Sequence, residues 1–213
     1  MTGYNNKEER SGFIQFIFGG SADYVRELMP LFAVSLAVMV LSSVIGFYQQ
    51  GFPDSALEEV LGDLLSSVMG QDRVTTYVVF FLFIFINNAL QSLLVILLGV
   101  FFGLYPVYFL EMNGYILGGV FNMGAGEIGL IGTLMELLPH GIFEFPAILL
   151  CAAAGLRVGY ALVNRIRGRT GLRQEVVKAL RLYAFRIVLI LIVAALIESA
   201  LIVSTLAMGG FFG

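Results

Sequence analysis

The stretch YVVFFLFIFINNALQSLLVILLGVFF, Tyr77 to Phe102, carries no charged residue and is longer than the roughly 20 residues that cross a bilayer. A second run, FRIVLILIVAALIESALIVSTLAM from Phe185 to Met208, repeats the pattern with only Arg186 and Glu198 charged. The whole 213-residue chain follows suit, with 59% hydrophobic and 13% charged residues and a mean hydropathy of +0.92. An ordinary soluble domain is roughly 25% charged, and a water-soluble fold of this size cannot hide so much apolar surface. The composition therefore predicts an all-α, polytopic membrane helix bundle forming a single membrane domain over residues 1–213. A net charge of −3 and a pI near 5.2 exclude nucleic acid as the default partner and leave the lipid bilayer as the first one. Cys151 is the lone cysteine and stands in an apolar stretch, so no disulfide framework is expected. The first 20 residues lack a small-residue cleavage site after a compact apolar core, so no cleaved signal peptide is expected.

Working outward from these two runs, five spans are expected, at about residues 31–48, 77–102, 106–121, 142–163 and 182–208. Two amphipathic helices should lie on the membrane surface. One covers about residues 11–29, where Phe13, Phe16, Ile17, Tyr24, Val25 and Leu28 form a stripe interleaved with Asp23, Arg26 and Glu27. The other covers about residues 54–69, opened by the Ser55/Glu58 capping box and showing Leu57, Val60, Leu61, Leu64, Leu65 and Val68 on one face. Leu130 to Val163 would measure about 51 Å as one straight helix, more than a hydrocarbon core of about 30 Å. Pro139 and Gly141 lie inside it. A half-helix at about 130–138 is therefore expected, with a break at Pro139–Gly141 before the fourth span.

The cations set an orientation, because Lys and Arg are in excess on the cytoplasmic side. Eight of the twelve, Arg157, Arg165, Arg167, Arg169, Arg173, Lys178, Arg181 and Arg186, bracket the connector between the fourth and fifth spans. That places the connector inside, together with the turn at 103–106 and the N-terminus with Lys7, Arg10 and Arg26. The loop with Asp54, Glu58, Glu59, Asp63 and Asp72 has one cation, Arg73, and falls outside. The expectation is a multi-pass protein of the cytoplasmic (inner) membrane, N-terminus in and C-terminus out.

Polar groups inside a bilayer are costly unless partnered, and here they are few. Asn87, Asn88 and Gln91 lie in the second span, Glu111 and Asn113 in the third, Glu136, His140 and Glu144 around the expected break, and Glu198 in the fifth. His140 and Glu144, four residues apart, share a helix face. Asn87, Asn88, Asn113, His140 and Glu144 are the expected polar cluster, read first as interhelical hydrogen bonding. A second reading makes His140, Glu144 and Glu198 the proton- or ion-handling groups of a transporter or channel subunit. A third, an intramembrane metal-dependent hydrolase, has Glu136, His140 and Glu144 as its only candidate ligands. Zinc usually takes three or four protein ligands, the chain has one His, and no HExxH, GxSxG or Walker pattern is present. No metal, no cofactor and no catalytic residue is assigned.

Gly99/Gly103, Gly114/Gly118 and Gly155/Gly159 form three GxxxG pairs. Such pairs let helix backbones approach, here within the chain or in a homo-oligomer. The basic connector Arg165–Arg186 reads as an anchor on anionic headgroups or, more sharply, as a docking surface for a cytoplasmic partner.

These residues also resemble a family. Asn87-Asn88, Gly99 and Gly103, Asn113-Gly114, and Pro139-His140-Gly141-Ile142-Phe143-Glu144 with Pro146-Ala147 and Gly155 are similar to the stage II sporulation protein M family of bacterial and archaeal membrane proteins. The resemblance runs from about Pro30 to the fifth span. It implies a five-span inner-membrane protein. The family's sporulation member looks like a scaffold that holds two peptidoglycan-degrading enzymes during engulfment, and archaeal relatives without peptidoglycan serve another purpose. A non-catalytic scaffold or assembly component of the cell envelope, with envelope proteins as partners, is the function expected from residues and resemblance together. Cysteines placed at Ser55 and Thr170 in a Cys151→Ala background should label from opposite sides of the membrane; labelling of both from one side contradicts five spans.

Overall fold

The computed structural model describes residues 21–49 and 72–207, and every regular element among them is helical. Helix α1 is Ser21–Gln49. Helix α2 is Arg73–Leu97, extended by a tighter turn at Leu98–Val100. Helices α3, Leu104–Glu127, and α4, Gly129–Ile166, follow. Then come α5, Leu172–Leu182, and α6, Val188–Ala207, joined without interruption through a π turn at Tyr183–Ile187.

Four helical stretches are long and apolar enough to cross a membrane: Asp23–Gln49, Arg73–Val100, Gly141–Ile166 and Leu172–Ser204. Helix α3, expected as the third span, has 24 residues and so about 36 Å of length, but Glu111, Asn113 and its tyrosines make it less apolar.

Contacts fix the helix directions. Asn88 meets Glu144, Gly99 lies against Gly155, and Gly103 against Gly159, all three at the same separation of 56 residues. Helices α2 and α4 are therefore parallel and in register. Gly114 packs on Met39 and Ser42, and Gly118 on Ser43 and Phe47, so α1 and α3 are parallel too. Tyr77 reaches Leu196 while Tyr183 reaches Ala89, which makes α6 antiparallel to α2. Two parallel helices in register can be joined only by a helix that runs back over the same distance, and α3 is that return path.

Helix α4 touches every other element. Its apolar stretch is 61% buried, against 22–28% for the other three. The reason is side-chain size: Ala147, Ala152, Ala153, Ala154 and Ala161 are buried along it with Cys151 and Val158, and Gly155 and Gly159 let α2 approach. The outer helices present bulky apolar side chains outward, among them Val40, Leu41 and Ile45 on α1 and Phe83, Ile86 and Leu90 on α2. That is the surface a lipid solvent favours.

The structure corrects three boundaries. Helix α1 passes unbroken through Pro30, so residues 21–29, expected on the surface as the end of a separate 11–29 helix, are the first turns of the same helix that is expected as the first span. Leu28 in those turns is fully buried, and this packing offsets the backbone hydrogen bond that Pro30 cannot donate. Helix α4 likewise continues through Pro139 and Pro146, so the expected break at Pro139–Gly141 and the separate 130–138 half-helix are replaced by one 38-residue helix. Neighbouring helices in a membrane support prolines that would end a helix in water. The helical run that contains the expected fifth span starts earlier than 182, at Leu172. The expected surface helix at 54–69, and residues 11–20 of the other, lie outside the described residues.

The turn from α2 to α3 is made by Phe102 (φ 55°) and Gly103 (φ 76°), both left-handed, a conformation that costs glycine little. Asp72 caps α2 by accepting from the Val74 and Thr75 backbone N–H groups and from the Thr75 hydroxyl. The Thr75 hydroxyl foremost, with these N–H groups, holds its carboxyl below the usual carboxylate range.

A Cβ on Gly155 would fall 2.7 Å from the Pro106 ring, whereas one on Gly126 would meet nothing within 4 Å. Gly155→Ala should therefore destabilise the protein by about 1–3 kcal/mol through overpacking. Gly126→Ala should be neutral or stabilising by about 0.5–1 kcal/mol. Thermal unfolding of both variants in detergent checks the contrast.

Candidate functional site

The polar groups of the membrane interior gather on the shared flank of α2, α4 and α6. Asn88 Nδ2 donates to Glu144 Oε1 at 2.8 Å, tying α2 to α4. On the same stretch of α2, Gln91 Nε2 donates to Asn87 Oδ1 at 2.9 Å, and Asn87 Nδ2 to Asn88 Oδ1 at 3.4 Å. Glu198 stands on α6 and is half-buried. The helical repeat explains the order along α2: Asn87 and Gln91 are one turn apart and bond each other on one face, while Asn88 is turned by about 100° toward α4. Asn88 and Glu144 are half-buried, whereas Asn87 is exposed.

Of the residues expected in one cluster, the structure brings together Asn87, Asn88 and Glu144. Asn113 stands apart and donates to the Phe109 carbonyl of its own helix at 2.8 Å. The His140 side chain lies outside the described residues. Glu136 is exposed, and no group of three His, Cys, Asp or Glu side chains among the described residues is placed to hold a metal.

Two tyrosines not expected in the site complete the α2–α6 contact. Tyr183 donates to the Ala89 carbonyl at 2.9 Å from inside the π turn, and Tyr77 to the Leu196 carbonyl at 3.2 Å. Ala89 and Tyr183 are 94 residues apart, so no local pattern announces the pair.

A second polar assembly sits at the end of the bundle that holds the start of α1, the α2–α3 turn, the C-terminal end of α4 and all of α5. Arg157 of α4 lies 3.5 Å from Glu27 of α1 and 3.5 Å from Glu175 of α5. Lys178 lies 3.6 Å from Glu27 and 3.5 Å from Glu175, and its ammonium stands 5.5 Å from the centre of the Tyr24 ring. Two cations thus alternate with two carboxylates across three helices, and Glu175 is only 15% exposed. Only the Glu175/Lys178 spacing was visible in the sequence as a helical i,i+3 pair.

Fold and site together define an all-α membrane helix bundle with polar ties inside the apolar core and an ion-paired, cation-rich end. Residues 28–201 match the stage II sporulation protein M family, and the chain belongs to that family. An uncharacterized protein of Methanocaldococcus jannaschii is 32% identical over 104 residues, a match covering 46% of this chain and 47% of that protein. The chain thus spans about half the length of this curated relative. No solved structure matches.

The Asn88–Glu144 bond has a measurable worth. Interhelical hydrogen bonds in membranes average about 0.6 kcal/mol and reach about 1.7, so a double-mutant cycle of Asn88→Ala and Glu144→Ala, read by unfolding in detergent, should return a coupling in that range. Glu144→Gln, which keeps an accepting oxygen, should retain most of it.

Proposed function

We propose that this protein is a non-catalytic membrane scaffold or assembly component of the cell envelope. The observation that carries the reading is the 2.8 Å bond between Asn88 and Glu144. Glu144, one of the candidate groups for chemistry inside the membrane, is engaged in tying two helices together, beside a glycine contact that serves the same purpose. Family membership supports the reading through what the sporulation member implies, a platform that positions envelope enzymes. The broad outward apolar faces of α1 and α2 are available to lipid or to the membrane segments of partners.

The reading includes five crossings of the cytoplasmic membrane, with α3 as the return helix between parallel α2 and α4. It places the N-terminus inside and the C-terminus outside. The support for orientation is the gathering of Arg26, Arg157, Arg165, Arg167, Arg169, Arg173, Lys178 and Arg181 toward one end of the bundle, the end that the positive-inside rule assigns to the cytoplasm.

Copurification from native membranes tests the role. The tagged full chain should retain envelope proteins that an unrelated multi-span control does not. Glu144→Gln should reduce that retention only in proportion to the loss of folded protein. Proton flux through proteoliposomes of the purified chain, abolished by Glu144→Gln, would replace the scaffold with a transporter.

A further inference from the structure

The turn between α4 and α5 and the adjoining face of α5 line an open cavity of about 550 Å³, within the roughly 300–1,000 Å³ of small-ligand sites. Its lining includes four cations, Arg165, Arg173, Lys178 and Arg181, and no carboxylate. Lys178 is shared with Glu27 and Glu175 at the cavity's edge. Arg165 and Arg173 are exposed and form no ion pair among the described residues. Like charges converging on one concavity repel one another, and an anion placed there removes that repulsion. Guanidinium groups present planar forks that match phosphate oxygens.

We propose that this cavity binds the phosphate headgroup of an anionic phospholipid. Phosphate is the chemistry that Arg165 and Arg173 select. The lipid, in preference to a soluble phosphate, is indicated by two apolar side chains beside the cations: Val177 in the cavity lining and Ile166 next to Arg165, 40% and 67% exposed. Helix α5 places Val177 one residue from Lys178 and one turn from Arg173 and Arg181, so an apolar side chain stands among the cations where the first carbons of an acyl chain would meet it. The site is distinct from diffuse attraction of a basic surface, because Arg167 and Arg169, equally exposed in the same turn, are not part of the lining.

That distinction sets the test. The full chain, purified in zwitterionic detergent, is titrated with short-chain phosphatidylglycerol or phosphatidylcholine and its retained lipid read by native mass spectrometry. Phosphatidylglycerol should be retained in preference. The double variant Arg165→Gln/Arg173→Gln should weaken retention by about tenfold or more, given the usual worth of a cation at an anionic headgroup, and Arg167→Gln/Arg169→Gln by less than about twofold. Arg165→Lys/Arg173→Lys, which keeps the charge but not the fork, should retain more lipid than the Arg165→Gln/Arg173→Gln variant and less than the unaltered chain, and it guards against a folding artefact. Equal losses in the two glutamine variants, or equal retention of phosphatidylcholine, would overturn the proposal. So would displacement of the lipid by stoichiometric inorganic phosphate, which would make this a site for the free anion.

Discussion

The close approach of α2 and α4 governs the rest of the bundle. Gly99, Gly103, Gly155 and Gly159 interlock so tightly that a Cβ on Gly99 would lie 2.8 Å from the Gly155 Cα. Lipid tails are as apolar as the side chains they would replace, so helices in a membrane associate through backbone proximity and dispersion contact rather than by escape from water. A glycine seam supplies both. Once it fixes the register at 56 residues, Asn88 falls opposite Glu144, α3 has only one path back, and the alanine-lined flank of α4 is left for the remaining helices. The two prolines of α4 are tolerated inside this support.

The polar groups divide by depth into two kinds of work. In the interior, bonds are single and short: Asn88 to Glu144, Tyr183 to the Ala89 carbonyl. Each satisfies a donor that hydrocarbon would leave unpaired. At the cation-rich end the groups are charged and the separations near 3.5 Å, and partly exposed pairs of this kind are worth little singly. Their effect is geometric. Glu27, Arg157, Glu175 and Lys178 pin α5 across α1 and α4, and α5 in turn holds the wall of the cation-lined cavity.

The sequence revealed most where the bilayer imposes a rule on composition. The runs Tyr77–Phe102 and Phe185–Met208 had to be membrane helices, because nothing else buries so much apolar chain, and the GxxxG pairs marked where backbones meet. It misled where a local rule competes with packing. Pro30 and Pro139 are helix breakers in water, yet both stand inside continuous helices, since the neighbours that hold those turns come from distant parts of the chain. Asn113 fits the pattern of an intramembrane cluster residue, but its amide is already satisfied one turn back by Phe109. The Asn88–Glu144 and Tyr183–Ala89 bonds join residues 56 and 94 positions apart, and no spacing rule reaches that far. The ion-paired end was legible as positive charge and as the Glu175/Lys178 spacing, but not in its ties to Glu27 and Arg157, which come from α1 and α4.

The parallel pairing of next-but-one helices also bears on how the chain is made. Helix α1 finds its partner in α3, and α2 finds its partner in α4, so the two seams interleave and neither closes between consecutive helices. Ribosomes add about 5–20 residues per second, which separates the emergence of Gly99 from that of Gly155 by about 3–11 s. During that interval α2 has its glycine face bare and Asn88 unmatched. Biogenesis of this bundle is therefore a problem of keeping an unfinished helix apart from wrong partners until its own is made.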